Sequence, residues 1–124
     1  MPGKQGGTVL VSYGNPLQSC LQARAANPDL GVIAVNRLRP LPDKVLKAAL
    51  SQYGNAIVVE DHFPNSGLYG SLCEFVNRYQ IPVRLVPLAP TAYTFDVGTT
   101  PEYFAKKFGL DAEGILEKVN EIAN

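Results

Sequence analysis

Three polar residues at the end of one apolar run are the strongest candidates for chemistry in this chain. Residues 56–59 are apolar and lead directly into Glu60, Asp61 and His62. His62 is the single histidine, and beside two carboxylates it could act as an acid–base group near neutral pH. The alternative, which we favour, is that Asp61 caps the following loop and His62 packs at an interface. Ser66 lies too close in sequence to these residues to form a triad without a supporting oxyanion site.

Two arginines follow another apolar run. Arg37 and Arg39 come after residues 32–35 and just before a Pro-Leu-Pro stretch at residues 40–42. Guanidinium groups bind phosphate well because their paired N–H groups match two phosphate oxygens. The two arginines could equally form ion pairs with Glu60 or Asp61 across neighbouring strand ends, or with another domain. We expect pairing rather than phosphate binding.

The sequence lacks the signatures of several common catalytic and nucleotide-binding sites. Residues 14–19 read Gly-Asn-Pro-Leu-Gln-Ser, which holds one glycine where a dinucleotide fingerprint needs three. Neither a Gly-Lys-Ser/Thr triplet nor a Gly-x-Ser-x-Gly elbow occurs. Cys20 and Cys73 lack the paired spacing of a zinc site and are predicted to be free and buried. We therefore assign no catalytic, cofactor-binding or metal-binding residue.

Length and charge limit the possible functions. The chain has 124 residues, the usual size of one domain, and 11 basic residues balance 11 acidic ones. This balance gives no electrostatic basis for binding nucleic acid or an anionic membrane, and no apolar run is long enough to span a bilayer. Residues 1–7 lack the apolar core of a signal peptide and are predicted to be a flexible lead-in to one domain at residues 8–124. A cytoplasmic location is expected.

Apolar runs and helical patterns alternate along the chain, which is typical of βαβ units and a parallel sheet. The runs are nearly continuous rather than alternating, as expected for strands covered on both faces. We therefore predict a three-layer α/β/α domain with a mainly parallel, Rossmann-like sheet. The predicted strands are residues 8–13, 32–35, 56–59 and 83–88. Predicted helices follow each of the first three strands, and two more close the chain near residues 101–108 and 111–122.

Two further expectations concern single segments. The second helix is predicted to begin near Asp43 and to bury Val45, Leu46, Ala49 and Leu50. Residues 89–100 form a long connection without a clear pattern, and connections of this length usually have a function, contact a partner or move. The alternative is that the aromatic residues of this connection fold back onto their own core.

Several segments, read in order, resemble the C-terminal domain of transketolases. Residues 9–14 resemble the opening strand and turn of that domain, and residues 39–43 are similar to its Arg/Lys-Pro-Leu-Asp segment, with Pro42 as an extra residue. Residues 58–62, Val-Val-Glu-Asp-His, match its most characteristic segment. Residues 67–70 lie at its glycine-rich turn, and residues 98–104 and 108–111 resemble its tail. The resemblance covers nearly the whole chain from Thr8.

The resemblance implies a domain of a larger enzyme. Transketolases transfer a two-carbon ketol unit between sugar phosphates with thiamine diphosphate and a divalent metal, Mg²⁺ or Ca²⁺. Their three-domain subunits pair as homodimers, and the first two domains bind cofactor and substrate. The C-terminal domain makes interdomain and dimer contacts, and no family catalytic residue maps onto this chain. We therefore expect the chain alone to be neither a transferase nor a cofactor-binding protein, with the other domains and a second subunit as its partners.

Three alternatives stay open. The same domain occurs in 1-deoxyxylulose-5-phosphate synthase and in the β subunits of 2-oxoacid dehydrogenases, although Asp61, His62 and the Phe-Gly-Leu tail at residues 108–110 favour transketolase. The third is a small-molecule regulatory domain.

The predicted strand order, 2-1-3-4, places the ends of the first and third strands side by side, where ligands bind in such sheets. The candidate crevice or interface consists of Ser12, Tyr13, Gly14, Arg37, Arg39, Glu60, Asp61, His62, Ser66 and Gly67.

Overall fold

Four strands and four helices alternate along the described part of the chain. The computed structural model describes residues 1–14, 16–35, 43–60, 67–89 and 109–123. In chain order the elements are β1 (Thr8–Ser12), α1 (Pro16–Ala26), β2 (Gly31–Ala34), α2 (Asp43–Leu50), β3 (Asn55–Val59), α3 (Leu68–Tyr79), β4 (Arg84–Leu88) and α4 (Ala112–Ala123). Each predicted strand is present within a residue or two of its expected bounds. The helix predicted near residues 101–108 lies outside the described residues.

The four strands form one parallel sheet in the order β2-β1-β3-β4, which confirms the predicted order. The register between β1 and β2 places Val11 opposite Ile33, and the register between β1 and β3 places Val11 opposite Val58. Because β1 lies between β2 and β3, the crossover from β1 to β2 and the crossover from β2 to β3 run in opposite directions across the sheet. The carboxyl ends of β1 and β3 therefore meet at the point where ligands bind in open α/β sheets.

Helices cover both faces of the sheet, which confirms the three-layer prediction. Along β1, Val9 and Val11 face one layer and Leu10 faces the other, as the two-residue period of a strand requires. The first layer contains side chains of α2 and α3, among them Leu46, Leu50, Leu68, Leu72 and Phe75. The second contains side chains of α1 and α4, among them Cys20, Ala23, Ile115 and Val119. Burial on both faces explains why the strand sequences are apolar throughout.

One prediction about α2 is wrong. Leu46 and Leu50 are buried, with exposed fractions of 2% and 0%, but Val45 is 74% exposed. Leu46 and Leu50 lie one turn apart and point the same way, whereas each single residue turns a helix by about 100°. Val45 is therefore rotated away from the sheet although it is adjacent to Leu46.

The two thiols are free, as predicted, but they differ in burial. Cys20 on α1 is fully buried, whereas Cys73 on α3 is half-buried, so the expectation of two buried thiols holds for Cys20 alone. Within the described residues, no helix combines the length and apolar character needed to cross a membrane. The first residues of the chain hydrogen-bond to β2 and to the turn before β3, and their flexibility in solution stays a prediction.

Candidate interface at the carboxyl edge of the sheet

The structure brings several predicted site residues together at the ends of β1 and β3. Ser12 ends β1 opposite Val59, and Tyr13 and Glu60 follow these two strand ends. Gly67, which precedes α3, lies next to the Glu60 carboxylate, and the Tyr13 hydroxyl is 3.6 Å from the position that a Cβ atom on Gly67 would take. Gly14 follows Tyr13 with a positive φ of 67°, a conformation that suits glycine at the turn into α1.

The Glu60 side chain caps the N-terminus of α3. Its carboxylate is 0% exposed, and Oε1 accepts a hydrogen bond from the Leu68 amide at 2.9 Å. Oε2 accepts a second bond from the Tyr69 amide at 2.8 Å. The first amides of a helix lack partners within the helix and carry partial positive charge, so a buried carboxylate is stabilised at this position. The carboxylate therefore joins the end of β3 to the start of α3.

Gly67 provides the space that this contact needs. Gly67 is the N-cap of α3 and makes no side-chain capping bond, so the capping function falls to Glu60. A Cβ atom placed on Gly67 would collide with Oε1 of Glu60. The φ of Gly67, −135°, lies outside the left-handed region that favours glycine, and the close approach of the carboxylate is the contact that requires glycine here.

Glu60 and Gly67, the two described residues on either side of residues 61–66, are held next to each other. Residues 61–66 connect these two positions, and the bonds from Glu60 to Leu68 and Tyr69 fix the distance between them. The predicted site residues Asp61, His62 and Ser66 belong to this loop and lie outside the described residues, as do Arg37 and Arg39. Their placement in the crevice, and the expected pairing of the arginines with carboxylates, stay predictions.

Ser12 lies beneath the strand ends and has a structural role. Its hydroxyl is 0% exposed and donates to the Val59 carbonyl at 2.6 Å, which links β1 to β3. The same hydroxyl hydrogen-bonds to the thiol of Cys20 on α1. Burial raises the pKa of Cys20 to about 12, although the bond from Ser12 acts in the opposite direction. This thiol is therefore held in its neutral form at physiological pH.

The start of α3 does not fit an anionic cofactor. Helix N-termini bind phosphate through free backbone amides, but the first amides of α3 already bond to the Glu60 carboxylate. A diphosphate at that position would meet a negative charge instead of N–H donors. Among the described residues, no group of three His, Cys, Asp or Glu side chains could hold a metal ion.

The sequence points to Glu60 but predicts a different environment for it. Its carboxylate is expected to pair with arginines or to join an acid–base cluster, whereas the structure adds the bonds to Leu68 and Tyr69. A signal for this role is present in the sequence, because Gly67 immediately precedes the helical pattern and offers no capping side chain. A helix start without its own polar cap needs an acceptor from elsewhere in the chain.

Comparison with known proteins gives curated relatives that share one name. A 1-deoxy-D-xylulose-5-phosphate synthase from Thermus thermophilus is 30% identical over 106 residues, which covers 86% of this chain and 17% of the relative. The synthase of that name from Aquifex aeolicus is 26% identical over 117 residues, which covers 91% of this chain and 18% of the relative. The chain therefore spans less than a fifth of the length of these relatives.

Solved structures share the fold. A split-gene transketolase, solved as an inactive beta4 tetramer, superposes with a TM-score of 0.80 at 20% identity, which covers 96% of this chain and 40% of that one. A 2-oxoglutarate:ferredoxin oxidoreductase from Magnetococcus marinus superposes with a TM-score of 0.57 at 17% identity, which covers 96% of this chain and 18% of that one. The family model described as "Transketolase, C-terminal domain" matches residues 4–115. The chain thus belongs to the transketolase C-terminal domain family.

Proposed function

We propose that this chain is the C-terminal domain of a thiamine-diphosphate-dependent enzyme and supplies interdomain and subunit contacts rather than catalytic groups. The observation that carries the proposal is the position of Glu60, whose carboxylate occupies the amides at the start of α3. The sheet edge where such folds usually bind ligands is therefore used internally in its described part. The cofactor, with its Mg²⁺ or Ca²⁺, is bound by the other domains of the parent enzyme.

The contact surface of this proposal is the loop at residues 61–66 together with Arg37 and Arg39. Glu60 holds both ends of that loop through Leu68 and Tyr69, so a partner domain meets a loop with a fixed base. Loops that bind partners gain affinity when their ends are already ordered, since less conformational entropy is lost on binding. His62 and Asp61 then contact the partner rather than a substrate.

The first candidate for the parent reaction is ketol transfer between sugar phosphates by a homodimeric, cytoplasmic transketolase. The Asp61-His62 pair and the Phe-Gly-Leu tail at residues 108–110 support this candidate. The split-gene transketolase supports the fold, although at 20% identity it carries no argument about the reaction.

The second candidate for the parent enzyme is a 1-deoxy-D-xylulose-5-phosphate synthase. The 30% identity over 86% of this chain to the Thermus thermophilus synthase favours this candidate. The same reasoning about Glu60 applies to both candidates, because it concerns the fold of this domain and not the reaction of the parent enzyme. The two candidates differ in the product that the assembled enzyme releases.

A reconstitution experiment tests the proposal and separates the two candidates. The thiamine-diphosphate-binding domains encoded in the same genome are purified and assayed with and without this chain, both for ketol transfer and for formation of 1-deoxy-D-xylulose 5-phosphate. We expect the chain alone to be inactive, to associate with those domains in sedimentation velocity, and to raise their activity in one of the two assays. Activity of the chain alone, or no association with those domains, would contradict the proposal.

Point variants then locate the contact surface. We expect His62→Ala and Arg39→Ala to weaken the association at least tenfold without changing the activity reached at saturating concentrations of the chain. Lys118→Ala on α4 is the matched control, because Lys118 pairs with Glu121 on its own helix and should leave the association unchanged. Equal effects of all three variants would argue against a contact surface at this edge.

A further inference from the structure

The first residues of the chain lie along the outer side of β2. The Met1 nitrogen donates to the Val32 carbonyl at 2.9 Å, and the Val32 amide donates to the Met1 carbonyl at 2.9 Å. The Lys4 amide donates to the Asp29 carbonyl at 2.8 Å, which continues the same antiparallel register. Residues 1–7 are named the edge segment below. Its first four residues therefore run antiparallel alongside β2 and the turn before it, although they form no regular strand.

Side chains from the turn before β3 and from α1 also bind the edge segment. The Gly3 amide donates to the hydroxyl of Tyr53 at 3.0 Å, and Tyr53 itself is 6% exposed. Arg24 on α1 donates through Nη2 to the Pro2 carbonyl at 3.0 Å. The segment is thus bound from above and below the sheet as well as along the strand.

The second half of the edge segment is bound to the turn before β3. The Gly6 amide donates to the Gln52 carbonyl at 2.6 Å. The Gly7 carbonyl accepts from the amides of Gly54 at 3.0 Å and Asn55 at 3.2 Å. A glycine-rich stretch, which has high conformational entropy when free, is thus hydrogen-bonded to the domain at both halves.

An uncovered β2 would present a pairing surface. β2 is an outer strand of the described sheet, and outer strands with free amides and carbonyls pair readily with other chains. The Val32 amide and carbonyl point away from β1 and are both taken by Met1. Two copies of this chain carry identical β2 edges, which can pair antiparallel about a two-fold axis.

We propose that the edge segment prevents two copies of this chain from pairing through β2. Its bonds to Val32 occupy an outward-facing amide and carbonyl of β2 that edge-to-edge pairing would use, and the bonds to Asp29, Tyr53 and Arg24 keep it from being displaced. The β2 edge is then a latent self-association surface, distinct from the loop at residues 61–66. This role does not depend on the parent enzyme's reaction.

Gly3→Ala tests this role without shortening the chain. A Cβ atom on Gly3 would lie 2.5 Å from the Asp29 carbonyl oxygen and would also meet the backbone of Leu30 and Gly31, which cannot move aside easily. Gln5→Ala is the matched control, since the Gln5 side chain is exposed and no bond of the segment depends on it. Hydrogen exchange at the Val32 amide reports release of the segment, and sedimentation velocity over a concentration series reports association.

For Gly3→Ala we expect at least tenfold faster exchange at Val32, unchanged exchange at Ile57 in the sheet centre, and concentration-dependent association beyond that of the unaltered chain. Gln5→Ala should match the unaltered chain in all three. Unchanged exchange at Val32, or faster exchange without added association, would overturn the proposal. If Gly3→Ala unfolds the domain, Tyr53→Phe takes its place as the test variant, because the loss of the hydroxyl removes the bond to the Gly3 amide. The same three measurements then test the proposal.

Discussion

The buried carboxylate of Glu60 gives the sharpest stability prediction. Glu60→Gln keeps the shape of the side chain but replaces one accepting oxygen with a donating amide group. One of the two helix amides, from Leu68 or Tyr69, then keeps an oxygen acceptor, and the other faces a donor. The substitution therefore removes a charged bond, weakens the other to a neutral one and leaves a buried N–H group unpaired.

The size of the effect follows from these two bonds. Hydrogen bonds to charged groups contribute about 1.5–3 kcal/mol each, and neutral ones about 0.5–1.5 kcal/mol. Loss of one charged bond and weakening of the other should lower the free energy of unfolding by about 2–4 kcal/mol. A domain of this size has a total of about 5–15 kcal/mol, so the variant should still fold.

Urea unfolding followed by circular dichroism measures this change. We expect the midpoint to fall by about 1–2 M with an unchanged slope, since the native compactness is unaltered. Glu74→Gln is the matched control, because Glu74 lies on the same helix with an exposed side chain and should change the stability by less than about 0.5 kcal/mol. A cost for Glu60→Gln no larger than that of the control would refute the capping role.

Three further stability predictions follow from the same structure. Gly67→Ala should lower the free energy of unfolding in urea by about 1–3 kcal/mol, because the new Cβ meets the Glu60 carboxylate. The double variant with Glu60→Gln should lose less than the sum of the two single losses, since both substitutions disturb one contact. Full additivity would count against the contact. Burial raises the pKa of Cys20 from 9.0 to about 12, because the folded state favours the neutral thiol. The thiol therefore contributes stability that is fully present below pH 9 and is lost as the pH rises toward 12. Unfolding free energies at about pH 8 and about pH 10.5 should therefore fall less in Cys20→Ala than in the unaltered chain, and an equal fall would contradict this assignment. Leu46→Ala should cost about 2–5 kcal/mol, whereas Val45→Ala should change stability by less than about 0.5 kcal/mol, and similar values for both would contradict the orientation of α2.

Sheet architecture could be predicted from the sequence because the information is local to each element. Continuous apolar runs such as residues 56–59 mark strands buried on both faces, and the helical patterns between them require parallel crossovers. The order β2-β1-β3-β4 required the family resemblance as well, since several parallel orders satisfy the same alternation. The meeting of Ser12 and Glu60 at one sheet edge then follows from the order.

Features that depend on contacts between distant residues could not be predicted. Glu60 caps a helix that begins eight residues later, and local pattern rules search for a cap at the helix start itself. Residues 1–7 carry no strand pattern, and their hydrogen bonds reach Val32, Tyr53 and Gln52, far along the chain. The predicted burial of Val45 is wrong because one residue turns a helix by about 100°, which is enough to separate the buried face of α2 from its exposed face.

The proposal that this domain provides contacts and leaves cofactor binding to other domains is tested most directly by titration calorimetry. The folded chain is titrated with thiamine diphosphate in the presence of Mg²⁺. Because the Glu60 carboxylate occupies the amides at the start of α3, we expect no saturable heat of binding. Binding with micromolar affinity to the chain alone would contradict the proposal.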